Sequence, residues 1–187
     1  CTIKTFSLST LFLFGSYLLL DSKSHFSDGT KLLIAGFLFG LSIETRLFFA
    51  GLAPIFLIYL WSSREYLIAQ IPRMIFFCAG TLVALIPSII HIINHFEVYY
   101  FNNLGYHLIR SNRDFISSLT PKFTIFKSVL GLRETQQFSG IQFPLFFWLT
   151  VIGVYFTKRN GQKIDLAVWI ALGLFILSLL PNPSYIQ

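Results

Sequence analysis

The stretch that decides the fold is residues 32–60, LLIAGFLFGLSIETRLFFAGLAPIFLIYL, an apolar run that carries two charged side chains, Glu44 and Arg46. As one helix it would reach about 43 Å at 1.5 Å per residue, which exceeds the roughly 30 Å hydrocarbon thickness of a bilayer. A charge inside a membrane span costs about 2.5–3.5 kcal/mol, so it usually marks a site. We therefore expect the run either to tilt strongly as one helix or to break into two pieces near residues 42–46.

The composition of the whole chain is typical of a membrane protein. Of its 187 residues, 55% are hydrophobic and 12% are charged, whereas soluble domains carry about 25% charged residues. Helices satisfy their own backbone hydrogen bonds in lipid, so each continuous apolar run predicts a helix. Such runs cover residues 6–20, 32–60, 74–93, 141–156 and 166–180. The predicted fold is therefore all-α, a polytopic transmembrane helix bundle of about five spans that forms a single transmembrane region over residues 1–187.

The charges of the connecting loops predict an orientation. Three cations crowd the connection between the fourth and fifth runs and are expected to face the cytoplasm; they are Lys158, Arg159 and Lys163. Counting back from there places residues 98–140 in an extracytoplasmic loop. The count for the N-terminal part assumes that residues 32–60 cross once, and a hairpin there would reverse it.

Within that loop, residues 122–138, KFTIFKSVLGLRETQQF, place apolar side chains near one helical face and cations elsewhere. This pattern predicts a helix that lies in the membrane interface. The net charge of +6 includes no dense basic block, so we expect contact with membrane lipids and no nucleic-acid partner.

Glu44 and Arg46 lie two positions apart, so on one helix their side chains would point about 200° away from each other. Each then needs its own partner or a polar cavity. Two interpretations stay open. Arg46, or the polar pocket that it maintains, lies beneath a site for a charged ligand, or both residues form structural ion pairs with other helices.

Two further segments carry candidate binding residues. In residues 99–114, YYFNNLGYHLIRSNRD, the side chains of His107, Arg110 and Arg113 recur every three positions and could cradle a phosphate. Ordinary contact with lipid head groups is the alternative interpretation. In residues 180–187, LPNPSYIQ, Tyr185 and Gln187 could hydrogen-bond a polyol, or the two prolines could simply end a span.

Metal and thiol chemistry receive little support from the sequence. His91 and His95 have the i, i+4 spacing that can chelate a metal, but no acidic residue joins them at a matching spacing. Polar residues at the end of a span are the simpler interpretation, so we assign no metal site. A divalent metal stays open as a cofactor. Cys1 and Cys78 define no disulfide framework or zinc pattern.

Three stretches in this order resemble the integral-membrane glycosyltransferases of the GT-C class, the group that contains protein O-mannosyltransferase-like and aminoarabinose transferase-like enzymes. Residues 32–61 resemble their G-x-x-x-G-L-(x)-x-x-T-R-L run. Residues 101–111, FNNLGYHLIRS, look like an outside loop with an F-N-x-x-G-Y-H stretch in bacterial members. Residues 180–187 are similar to a P-x-x-Y-x-Q loop that lies near the sugar site.

The resemblance implies a multi-pass protein of the bacterial inner membrane. It would transfer a sugar, with inversion, from a polyprenyl-phosphate carrier to an acceptor on the outer face. Arg110 and Arg113 are the first choice for the phosphate, with His107 assisting, and Arg46 is the second choice. The general base of such enzymes is a carboxylate in the first outside loop, and we assign neither Asp21 nor Asp28 to this role.

The chain does not begin with Met and stops after LPNPSYIQ, so we expect a central or C-terminal piece of a longer protein that is inactive alone. Two other functions stay open. One is a transporter or flippase for a lipid-linked or anionic solute, because broken helices with intramembrane charges also describe transporters. The other is a non-catalytic membrane subunit.

Overall fold

A computed structural model describes residues 5–21, 28–61, 67–105, 122–124, 126–132, 142–161 and 164–179. All regular elements in these residues are helical, and no strand occurs among them, which confirms the predicted all-α class. The elements are α1 (Thr5–Asp21), α2 (Asp28–Thr45), a 3₁₀ segment (Leu47–Leu52), α3 (Ala53–Trp61), α4 (Leu67–Asn94), α5 (Phe96–Tyr100), a π turn (Phe101–Gly105), α6 (Gln142–Arg159) and α7 (Leu166–Leu179). The chain forms two compact units, an N-terminal unit (Cys1–Leu104) and a C-terminal unit (Gly105–Gln187).

Residues 32–60 break at Arg46 and fold back on themselves. Helix α2 ends at Thr45, and Arg46 has an extended backbone with φ −154° and ψ 103°. The ring centroids of Phe39 and Phe56 lie 4.5 Å apart, whereas one continuous helix would separate these residues by about 25 Å. The run is therefore a helical hairpin, which is the alternative that reverses the orientation of the N-terminal part.

Hydroxyl groups close the C-terminal end of α2. The Ser42 hydroxyl donates to the Phe39 carbonyl oxygen at 2.7 Å. The Thr45 hydroxyl lies 3.0 Å from the Leu41 carbonyl oxygen and 2.9 Å from that of Ser42. Such bonds compete with the regular backbone ladder and bend helices. Pro54 then falls in the first turn of α3, where its missing N–H costs nothing, so the local sequence favours a turn followed by a new helix.

Helices α2 and α4 cross with their backbones in close contact. A Cβ atom added at Gly36 would overlap the Phe77 carbonyl oxygen, and one added at Gly80 would overlap that of Leu33. A Cβ atom at Gly40 would lie 2.6 Å from the Cβ of Ala84. Contacts therefore advance in the same direction along both chains, so α2 and α4 run parallel. Small residues spaced four apart are the usual means by which membrane helices approach this closely.

Three phenylalanine rings form the core of the N-terminal unit where α2, α3 and α4 meet. Phe39, Phe56 and Phe77 are each buried. Their ring centroids are separated by 4.5 Å (Phe39 to Phe56), 5.5 Å (Phe56 to Phe77) and 5.7 Å (Phe39 to Phe77). These distances fall in the range where aromatic pairs attract. The cluster holds the returning arm of the hairpin against α4.

The Thr81 hydroxyl is shared between two helices, since it lies 3.1 Å from the Gly36 carbonyl oxygen and 2.9 Å from that of Phe77. Replacing Thr81 with Val keeps the shape and removes the donor. We expect this variant to lower the free energy of unfolding by about 1 kcal/mol, the usual size of an interhelical hydrogen bond in membrane proteins. Chemical denaturation in detergent micelles, followed by circular dichroism, measures this.

Thr157→Val is the matched control, because the Thr157 hydroxyl bonds within its own exposed helix, to the Gly153 carbonyl oxygen at 2.8 Å. Its free energy of unfolding should change by much less. Equal effects of the two substitutions would mean that the hydrogen bond between α2 and α4 adds nothing to the free energy of unfolding.

One helix of the described residues is long and apolar enough to cross a membrane by length and composition. It is Gln70–Asn94, the main part of α4. The apolar helices Ser7–Asp21, Leu47–Trp61 and Leu166–Leu177 are shorter. Helix α2 carries Asp28, Lys31 and Glu44, and α6 ends in two cations. Of the five predicted spans, only one is thus long and apolar enough among the described residues to cross a membrane.

In the C-terminal unit, the described residues before α6 pack on the two helices that follow. The Trp148 indole N–H donates to the Leu130 carbonyl oxygen at 3.2 Å, and the Phe126 ring lies 6.4 Å from that of Phe175. Residues 122–124 and 126–129 are helical, and a turn follows at Gly131, which has a φ of 80°. Phe123 and Phe126 are exposed there. The prediction that this segment lies in a membrane interface stays a prediction.

Candidate ligand site at the hairpin turn

Glu44 lies in the last turn of α2, directly before the chain reverses. Its Oε2 atom is buried and has no hydrogen-bond partner among the described residues. A carboxylate oxygen in that condition is costly, since burial removes water without replacing its hydrogen bonds. Each such atom in a folded protein therefore calls for an explanation, and a bound ligand or ion is one of the usual ones.

Arg46 forms the turn itself. Its backbone N–H donates to the Ser42 carbonyl oxygen at 3.1 Å, and its own carbonyl oxygen accepts from the Phe49 N–H at 3.0 Å. Glu44 and Arg46 thus place two opposite charges within one turn, which is an arrangement suited to a polar ligand that carries both donors and acceptors.

The parallel course of α2 and α4 places the polar residues of both helices at one end of the N-terminal unit. Gly40 faces Thr81 and Ala84. One further turn of each helix leads to Glu44 on α2 and to about residue 87 on α4, and His91 follows one turn later. His95 comes directly after α4. The hairpin turn and the histidines therefore lie at the same end.

The other predicted site residues lie outside the described residues. These are His107, Arg110, Arg113, Tyr185 and Gln187. The structure thus brings Glu44 and Arg46 together at a turn, and the proposed phosphate cradle and sugar-contacting loop stay predictions. Among the described residues, no group of three or more His, Cys, Asp or Glu side chains could hold a metal ion.

The sequence interpretation missed the glycine-lined crossing, although its signal is present. Gly36 and Gly40 are four residues apart, and so are Gly80 and Ala84. This spacing is the small-xxx-small pattern of close helix pairs. The crossing matters for the site because it fixes the height of α2, and hence of Glu44 and Arg46, relative to the end of α4.

Comparison with protein-family models, with curated proteins and with solved structures found no match to this chain.

Proposed function

We propose that the chain is part of a multi-pass membrane glycosyltransferase that moves a sugar from a polyprenyl-phosphate carrier to an acceptor on the extracytoplasmic face, in a bacterial inner membrane. The observation that carries the proposal is the position of Glu44, Arg46, His91 and His95 at one end of apolar helices. An enzyme that acts on a lipid-linked donor needs polar chemistry at the membrane surface and apolar surface below it. The three sequence stretches that resemble GT-C enzymes also support the proposal.

The exposure of α4 supports a membrane location. A core helix of a soluble protein buries its apolar side chains. On α4, large apolar side chains are instead exposed along the length of the helix, namely Ile71, Ile75, Leu82, Val83, Ile86 and Ile90. A continuous apolar surface of this kind is expected where lipid replaces water.

The distribution of cations supports an orientation in which the hairpin turn faces outward. Since α2 and α4 are parallel, both helices begin at the same end, where Lys31 and Arg73 lie within their first two turns. The sequence adds Lys23 and Arg64 to the connections that enter them. Cytoplasmic ends collect cations in this way. The opposite end, with Arg46, then faces the extracytoplasmic side, where the carrier presents its sugar.

The chemistry of transfer assigns a role to each class of residue. Breaking the bond between the sugar and the carrier leaves negative charge on the departing phosphate. A guanidinium group near that oxygen stabilises the charge as it develops. Arg110 and Arg113 are proposed for this, with His107 assisting, while Arg46 would contact the carrier at the hairpin turn. Tyr185 and Gln187 would hydrogen-bond the sugar, and Glu44 would accept a hydrogen bond from a hydroxyl group of the substrate.

The experiment uses the complete protein in membranes that contain a polyprenyl-phosphate-linked sugar and measures label transferred to acceptor. Arg110→Ala, Arg113→Ala, Glu44→Gln and Arg46→Met should each lower the transfer rate at least tenfold, an effect within the range of lost charge-stabilising groups. Helical content in detergent should stay unchanged. Arg159→Ala, which removes an exposed cation of α6, is the matched control and should keep the wild-type rate.

Other outcomes assign other functions. Wild-type rates in the arginine variants would remove them from the site. Unchanged rates with altered stability for Glu44→Gln and Arg46→Met would make that turn purely structural. Movement of the carrier across vesicles without any transfer of sugar would favour a flippase, and cysteine labelling that places residues 98–140 on the cytosolic face would contradict the proposed orientation.

A further inference from the structure

Two imidazole rings face each other where α4 ends. His91 lies in the last turn of the helix, and His95 follows directly after it with φ −142° and ψ 49°. The His95 N–H still donates to the His91 carbonyl oxygen at 2.8 Å. This bond keeps the helical register between the two residues, so both side chains project from the same face. Their ring centroids are 5.4 Å apart, with the ring planes inclined at 51°.

This spacing fits two imidazoles that share one metal ion. A metal–nitrogen bond of about 2.0–2.1 Å puts the centroid of a bound ring about 3.2 Å from the metal. With an angle of about 90–110° between the two bonds, the ring centroids would then lie about 4.5–5.3 Å apart. The observed 5.4 Å is only slightly longer than this range, so the spacing of the two rings is compatible with a shared ion.

Both rings are available for coordination. His91 and His95 are exposed, and neither imidazole makes a side-chain hydrogen bond within the described residues. Tyr99 lies one turn further on, where its ring meets that of His91 edge to face with the centroids 6.2 Å apart. The Tyr99 N–H donates to the His95 carbonyl oxygen at 3.0 Å. This bond limits the freedom of the backbone that carries His95, which favours chelation by lowering its entropic cost.

We propose that His91 and His95 form a two-histidine site for a late first-row divalent metal of the kind that prefers imidazole, such as Zn²⁺, Cu²⁺ or Ni²⁺. An i, i+4 histidine pair on one helical face is an established two-ligand arrangement for such ions. The protein supplies two ligands, so the remaining positions are open to water or to an anionic oxygen ligand. The site does not depend on the proposed transferase activity.

The test is a titration of the full chain in detergent micelles with Zn²⁺, measured by isothermal calorimetry. The wild type should bind one ion through this site. His91→Ala and His95→Ala should each weaken that binding roughly tenfold or more, the minimum expected for a lost ligand when even second-shell changes cost this much. Because either substitution destroys the same chelate, the combined loss of affinity in the double variant should be smaller than the sum of the two single losses.

Two controls separate this site from other zinc ligands in the chain. Cys78→Ser removes the exposed free thiol, and His25→Ala removes a histidine elsewhere in the sequence. Both should bind Zn²⁺ as the wild type does. The proposal fails if His91→Ala and His95→Ala keep wild-type affinity, if their effects add as for two independent ligands, or if Cys78→Ser alone abolishes binding. Circular dichroism of each variant confirms that the helices are retained.

Discussion

Replacing Gly36 with Ala is expected to lower the free energy of unfolding by about 3 kcal/mol, the upper part of the range for overpacking a tight core. The added methyl group would overlap the Phe77 carbonyl oxygen. A backbone atom cannot rotate away as a side chain can, so α2 and α4 must separate. Separation would also stretch the hydrogen bond from the Thr81 hydroxyl to the Gly36 carbonyl oxygen, now 3.1 Å. Chemical denaturation followed by circular dichroism measures the loss.

Gly153→Ala is the matched control for this effect. Gly153 also lies inside a helix, but a Cβ atom there would meet nothing within 4 Å. Alanine favours helices over glycine by about 0.5–1 kcal/mol, so this variant should be as stable as the wild type or slightly more stable. If Gly36→Ala behaves in the same way, the close contact between α2 and α4 is not present in solution.

Phe56→Ala is expected to cost about 3–5 kcal/mol, the range for deleting a buried aromatic ring. The Phe56 ring is fully buried and lies 4.5 Å from that of Phe39 and 5.5 Å from that of Phe77. Its removal opens a cavity between α2, α3 and α4. Because the backbones of α2 and α4 are already in contact, these two helices cannot move closer together to fill it. The same denaturation experiment applies, with Phe56→Leu expected to be intermediate because it leaves a smaller cavity.

Phe14→Ala serves as the comparison for Phe56→Ala. Phe14 is exposed on α1, where its ring contacts only that of Tyr17 at 5.9 Å among the described ring pairs. Its loss should cost less than about 1 kcal/mol, as surface substitutions usually do. A similar cost at both positions would show that Phe56 is not at the centre of the core, and hence that the hairpin does not return along α2.

The helical class of the fold was predictable from continuous apolar runs, and the break at Arg46 was predictable as one of two alternatives. The direction of the chain after the break was not. Residues 47–61 are equally apolar whether they continue α2 or fold back beside it, so composition does not distinguish the two cases. The reversal depends on the aromatic contacts of Phe56 with Phe39 and Phe77, which join residues far apart in sequence.

The residues of the candidate site were predictable from the sequence, but their position in the fold was less so. Glu44 and Arg46 stand out because charges are rare in such a run. Their location at a turn follows only from the hairpin, and their height relative to His91 follows only from the crossing at Gly36 and Gly40. The burial of the Glu44 oxygen depends on groups that lie far away in sequence, and residue spacing carries no information about them.

The crossing of α2 and α4 has a consequence for biosynthesis, because the two closest neighbours are not consecutive in the chain. Gly40 leaves the ribosome about 44 residues before Ala84, which at roughly 5–20 residues per second is a delay of about 2–9 s. During that interval the glycine-lined face of α2 cannot yet pack against α4, although α3 has already been synthesised. Final assembly of the N-terminal unit is therefore gated by translation of α4.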